Sequence, residues 1–379
     1  MPPGPVTPLG AARALSGTVP HVSVTGADGT QWYLQGPLAP DLLTQPGIGL
    51  ITFEGLQPSF DLLDEQGARQ DGISNLDTVW NPNVLSMVLE AGAPTVAEFR
   101  QVMRMWISSW NPPNVNTVSV FTPQMGSWWA PARQLKALPP RTGSDSNQDP
   151  SLHLRFRFGF QARVDNAFWQ GIDSVSVFPG GTYGTCPQTL TGGAASGYCP
   201  LTNTGTRRGW PRFLVTGPGT FTLGNGGNIV AQGNPAYASG YAPGIVTSGV
   251  TPITFGPLTD GQVALVSTLP RLRSVVDLTP TQTLPTNPQQ RALTQTLINL
   301  AQTTNTAPLL EAWQNVFGVL PLNSPMYSLL GGRFTTSSAL PPHADGYPLQ
   351  TSWIPVSIVG GNSNSRIVAA STPYRTWPW

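Results

Sequence analysis

Residues 206–227 read TRRGWPRFLVTGPGTFTLGNGG, and their pattern decides the class of fold. Two arginines lead into Trp210 and Pro211, and the apolar run Arg212-Phe213-Leu214-Val215 breaks at Thr216-Gly217-Pro218-Gly219. Thr220-Phe221-Thr222-Leu223 follows, and then Asn225-Gly226. β-Branched and aromatic residues punctuated by Gly, Pro and Asn predict strand, turn, strand, turn, with the shape of a hairpin. The stretch contains no acid.

That scarcity of charge runs through the whole chain. Only 10% of the 379 residues are charged, against about 25% in an ordinary domain. Nineteen basic and eighteen acidic residues leave a formal charge of +1, which gives neither a footprint for nucleic acid nor a polybasic membrane patch. Disorder driven by charge does not fit a chain that is 39% hydrophobic with 12 Trp. Forty prolines and 41 glycines, about a fifth of the chain, are spread between apolar runs. Many short strands and turns need that composition, so a mainly β fold is expected, and the length predicts two or three domains. A near-neutral surface promotes association. It suits an extracellular β protein, and suits better a subunit whose surface is mostly buried in an assembly.

No apolar run approaches the roughly 18 residues that cross a bilayer, so no membrane insertion is expected. MPPGPVTPLGAARALSGTVP (1–20) lacks the charged start of a secretory leader, is too rich in Pro and Gly for its apolar segment, and reads as an extended arm. Cys186 and Cys199 have no nearby His and make a weak metal case. Two free thiols and one loop-closing disulfide both remain open.

HVSVTGADGTQWYLQG (21–36) reads as a hairpin turning at Ala27-Asp28-Gly29, and IGLITFEG (48–55) as a strand. In APTVAEFRQVMRMWISSW (93–110), Thr95 and Glu98 form a capping box, and Val96, Phe99, Met103, Trp106 and Trp110 recur at helical spacing until Asn111-Pro112-Pro113. Val84–Leu89, NTVSVFTP and the segment at Trp128-Trp129 read as strands. LHLRFRFGFQAR (152–163) alternates: Leu152, Leu154, Phe156, Phe158 and Phe160 face one way, and His153, Arg155 and Arg157 the other. The arginine face suits solvent or a subunit contact better than a phosphate site. Further strands are expected over SVSVFPG, 253–277, 354–359 and 366–369, the last two flanking a turn at Gly360-Gly361-Asn362. Two helices are expected in PQQRALTQTLINLAQ and PLLEAWQNVFG.

Catalytic parts are scarce. His21, His153 and His343 stand in unrelated contexts, and no GxSxG, HExxH, Walker loop or CxxC occurs. Gly224–Asn228 lacks the Lys and following helix of a phosphate cradle. Asp61, Asp64 and Glu65 read as a solvated polar loop, not as a carboxylate pair for glycoside hydrolysis. No catalytic residue, cofactor or metal site is expected. Trp128, Trp129 and Trp210 could stack on sugar rings, but core or subunit contacts suit them better.

In order along the chain, DGTQWYLQGP, WNPPNVNTVSVFTPQMGSWWAPARQL, NTGTRRGWPRFLVTGPG with LTDGQVALVSTLPRLRSV, and GGRFT…PVSIVGG…STPYRTWP form a series. That series resembles the distal tail and minor tail proteins of long-tailed, siphovirus-type bacteriophages, particularly those infecting actinobacteria. The resemblance implies a tail-tube-like β-sandwich or split barrel with one flanking helix over 21–165, and a galectin-like β-sandwich over 166–379. It implies a non-enzymatic adaptor ring, six copies around a lumen that passes DNA without binding it specifically. That ring would join the tail tube protein to the tail-tip hub and other minor tail proteins, in a virion assembled in the host cytoplasm. Arg155 and Arg157 would then suit a subunit interface. The stretch 278–331 is longer than the family leads one to expect and reads as a helical insertion. A second reading is a peripheral minor tail protein that binds host carbohydrate through its C-terminal sandwich. A cell-wall hydrolase, from another class, would need facing carboxylates or a metal cluster that the sequence does not offer convincingly.

Overall fold

The alternation over 152–163 becomes a strand whose Phe158 and Phe160 are buried, Phe160 against the rings of Trp106 and Trp110. A computed structural model describes residues 20–65, 74–138, 154–180, 190–231, 251–269, 275–279, 326, 329–344 and 349–378. By contact density the chain divides into two compact units, Met1–Gly171 with Arg375–Trp379, and Ile172–Tyr374. The fold is mainly β.

In the first unit the strands are β1 (His21–Thr25), β2 (Gln31–Gln35), β3 (Gly47–Glu54), β4 (Phe60–Glu65), β5 (Ser74–Trp80), β6 (Asn83–Gly92), β7 (Asn116–Thr122), β8 (Gly126–Gln134), β9 (Arg155–Val164) and the short β10 (Trp169–Gln170), with one helix, α1 (Val96–Ser109). An antiparallel path β2-β1-β7-β8-β9-β6-β3 bends where β8 meets β9 at only Arg133↔Arg163 and Gln134↔Ala162. The path curls into a nearly closed barrel. Phe158, Phe160, Ala162 and Val164 of β9 and Leu85, Met87, Leu89 and Ala91 of β6 face inward and are buried. Arg155 and Arg157 face outward, as period two requires.

Helix α1 packs its apolar face into the same core as the strands. Its N-terminus is held by Thr95, whose Oγ1 accepts from the Glu98 backbone N–H at 3.3 Å and donates to Glu98 Oε2 at 2.8 Å. Phe99, Val102, Met103 and Trp106 are buried along one face. Trp106 is fully buried and meets Trp32 of β2 edge-on (5.3 Å), Phe160 of β9 edge-on (5.4 Å) and Trp110 (5.7 Å). One side chain thereby joins the first strand of the path and a strand beyond its bend to the helix.

In the second unit, β11 (Ser174–Phe178), β12 (Ala194–Thr202), β13 (Arg212–Thr216), β14 (Gly219–Asn225), β15 (Asn228–Ala231), β16 (Thr251–Leu258), β17 (Val263–Ser267), β18 (Val275–Asp277), β19 (Gln350–Val359) and β20 (Arg366–Ser371) build two antiparallel sheets. One runs β11-β20-β13-β17-β18 and the other β12-β19-β14-β16, with β15 also on β19. Phe178, Phe213, Val215, Val266 and Ile367 from the first sheet and Phe221, Leu223, Phe255, Val356 and Ile358 from the second share one core.

This sandwich corrects the expectation for 206–227. The strands β13 and β14 do not pair with each other: β13 pairs with β17 and β20, and β14 with β16 and β19. The Gly217-Pro218-Gly219 turn carries the chain across the core from one sheet to the other. A Cβ on Gly217 would lie 2.3 Å from the Thr259 carbonyl oxygen, and Gly219 holds φ +129, so glycine is required at both. The second break, Asn225-Gly226, does not reverse the chain either, since β14 and β15 both run antiparallel to β19, one after the other. The turn after Val359 is likewise a crossing between sheets. The two helices expected after 287 lie outside the described residues.

Arg212 is buried in the second unit. Its Nη2 sits 3.2 Å from Asp173 Oδ2 and donates to Thr372 Oγ1 at 2.6 Å, tying the segments before β11 and after β20 to β13. Removing one member strands a buried charge, whereas replacing both with apolar residues does not. Arg212→Met is expected to cost about 3–5 kcal/mol in urea unfolding, and adding Asp173→Leu to recover most of it.

Candidate functional site

Strands β4 and β5 pair only with each other, as a separate two-stranded ribbon. Their register places Phe60 opposite Trp80 and Leu62 opposite Thr78 on one face, and Asp61 opposite Val79 and Leu63 opposite Asp77 on the other. Apolar side chains are exposed on both faces: Phe60 46%, Leu62 53%, Leu63 48%, Val79 44%, with Leu76 at 64% beside the bulge. Anchorage is at the root. Trp80 contacts Phe60 (5.2 Å) and Phe168 (5.6 Å), and Asn81 donates its backbone N–H to Ser59 O and its Nδ2 to Asp61 Oδ2. The residues Asp61, Asp64 and Glu65, expected in a polar loop, therefore lie on a strand. An isolated two-stranded ribbon is marginally stable in water. Covering the exposed halves of five such side chains would stabilise an interface by about 5 kcal/mol, at roughly 1 kcal/mol each.

The tryptophans separate. Consecutive strand residues face opposite sides, so Trp128 and Trp129 do not make one platform. Trp128 is 3% exposed, donates its Nε1–H to Met125 O at 2.8 Å, and carries the Arg375 guanidinium 4.8 Å from its ring centroid. Its ring is core. Trp129 faces outward, half-buried, in a cross-strand row with Ser119, Ser23 and Tyr33. Trp210 is half-buried and belongs to the second unit.

On the outward face of β9, Arg155 and Arg157 flank Glu90 at 3.7 and 3.5 Å. Exposed pairs of this kind are worth about 0–1 kcal/mol each. Beside them a groove of about 420 Å³ is lined by Thr52, Ser86, Val88, Lys136, Gly159 and Gln161. A Cβ on Gly159 would touch nothing, so this face is open. Cys199 is buried in the second core; Cys186 and His153 lie outside the described residues. Among the described residues no three His, Cys, Asp or Glu side chains come together as a metal site.

No protein-family model and no curated protein matches the sequence. Among solved structures, the chain is similar to SPP1 Dit (gp 19.1), described as a paradigm of the hub adsorption apparatus in phages infecting Gram-positive bacteria, at TM-score 0.43 and 8% identity over 92% of this chain and 98% of that one. It is also similar to chains of the phage P2 baseplate in its activated conformation, with Ca (TM-score 0.43, 9% identity, 94% and 98% covered) and with Sr (0.42, 9%, 93% and 98%).

His21 opens β1 and packs edge-on against Tyr33 at 5.7 Å. Burial holds its imidazole below the ordinary value of 6.5. The folded state therefore resists the proton that the unfolded chain takes up, and this contribution is complete above about pH 6.5 and lost as pH falls below it. Thermal melts at pH 7.5 and 5.5 should show a loss of stability on acidification that is smaller in His21→Gln.

Proposed function

We propose that the chain is a non-enzymatic structural subunit of a phage tail tip, an adaptor ring of about six copies between the tail tube and the tail-tip proteins. One observation carries the reading: the segments behind the sequence resemblance are those that build both cores. DGTQWYLQGP supplies Trp32 and Leu34, and WNPPNVNTVSVFTPQMGSWWAPARQL runs from Trp110 through the β7–β8 hairpin. NTGTRRGWPRFLVTGPG supplies Phe213 and Val215, LTDGQVALVSTLPRLRSV supplies Ala264 and Val266, and PVSIVGG supplies Val356 and Ile358. A series of matches on buried strands, in order, across two units is more specific than any one β motif.

The composition supports the same reading. A ring subunit buries surface against two neighbours, where charges have to be matched or desolvated at a cost. Head-to-tail contacts that close by rotation set the copy number. A lumen that passes DNA works best without a basic excess.

Size exclusion with light scattering, and negative-stain images of the same peak, test the proposal. Six copies of a 40.3 kDa chain, about 240 kDa, with an open centre are expected. A monomer with and without added tail tube subunits contradicts it. A monomer that binds glycans, with binding abolished by Trp210→Ala, would favour the peripheral carbohydrate-binding reading.

A further inference from the structure

Resting on the ring reading, we propose that the β4–β5 ribbon of one subunit docks along the outer stripe of helix α1 of the next copy of this chain. The ribbon is acidic as well as apolar. Its described strands, 60–65 and 74–80, carry four acids (Asp61, Asp64, Glu65 and Asp77) and no base. Its unit carries a surface of the opposite character. The outward stripe of α1 presents Val96, Arg100, Arg104 and Ile107, at the three- and four-residue spacing that lines up one helix face, and all four are exposed. Glu98, the helix's one acid, is held by Thr95 at the first turn, away from the two arginines.

Dimensions agree. A helix of 14 residues is about 21 Å long at about 1.5 Å per residue. A six-residue strand spans about 20 Å at about 3.3 Å per residue. The ribbon's apolar residues are exposed on both faces, so it does not lie on its own helix. Among the described residues of the unit, Arg155 and Arg157 both reach Glu90, and Arg133 and Arg163 both reach Asp165, which leaves the arginines of α1 as the less compensated pair. Ribbon and stripe are different patches, so the contact is head-to-tail and propagates until it closes.

Two charge-reversed full-length variants test the contact, Asp64→Lys with Glu65→Lys on the ribbon and Arg100→Glu with Arg104→Glu on the helix. Alone, each puts like charges in contact, and sedimentation velocity should show assembly weakened by about tenfold or more. Mixed in equal amounts they regain a complementary pair at every contact, acid ribbon on Arg helix and Lys ribbon on Glu helix, and assembly should return as an alternating ring. Circular dichroism melts confirm that both variants fold. Wild-type rings together with variants that assemble normally, or that fail to rescue each other, overturn the ribbon–helix contact and leave the ring reading standing. A wild-type chain that stays monomeric at every concentration, with and without added tail tube subunits, contradicts both.

Discussion

Trp106 is the contact on which the first unit depends. A sheet that curls into a nearly closed barrel shares its core with one helix. Trp106 ties the helix into it by touching a ring from β2, a ring from β9 and the ring at the helix end. The apolar face of α1 is consumed inside, and what is left outside is a stripe of Arg100, Arg104, Val96 and Ile107. The ribbon β4–β5 is anchored at its root, at Trp80, Phe60 and Phe168.

The second unit is organised by crossings. Strands that follow one another across Gly217-Pro218-Gly219, 259–262 and 360–365 lie in opposite sheets. Each crossing puts successive strands on either side of one core, so Phe213 and Phe221, eight residues apart in sequence, enter it from opposite sides. Arg212 and Asp173 add a polar tie within that core, close to where the chain enters and leaves the unit. The opening stretch thus supplies one strand to each sheet of the sandwich and its buried arginine.

Much of this was legible in the sequence wherever burial differs between faces. The strand β9 and helix α1 each have one sealed face, so their periods of two and 3.6 stand out, and Phe158, Phe160, Phe99 and Trp106 are readable as core. The ribbon lacks that contrast. Both of its faces are exposed, and Asp61, Asp64 and Glu65 interrupt Phe60, Leu62 and Leu63 so that the segment resembles a polar loop. The signal that could have found it is Phe60-Asp61-Leu62 opposite Thr78-Val79-Trp80, an alternation at each end of a Gly-containing connection. Turn chemistry also has a limit. Gly-Pro-Gly marks where a strand ends but not whether its successor pairs with it, which depends on a sheet-to-sheet distance set by residues far along the chain. Trp128 and Trp129 show the reverse case, because strand alternation alone separates them once the strand is recognised.

The central claim is that the first unit carries a ribbon completed only by another copy. Hydrogen exchange of the full chain, compared between dilute and assembled samples, tests it most directly. Amides of 60–65 and 74–80 should exchange rapidly when dilute and become protected on assembly together with outward positions of α1, while β12, β14 and β19 stay unchanged. A ribbon already as protected in the dilute monomer as β6 and β9 would contradict the account.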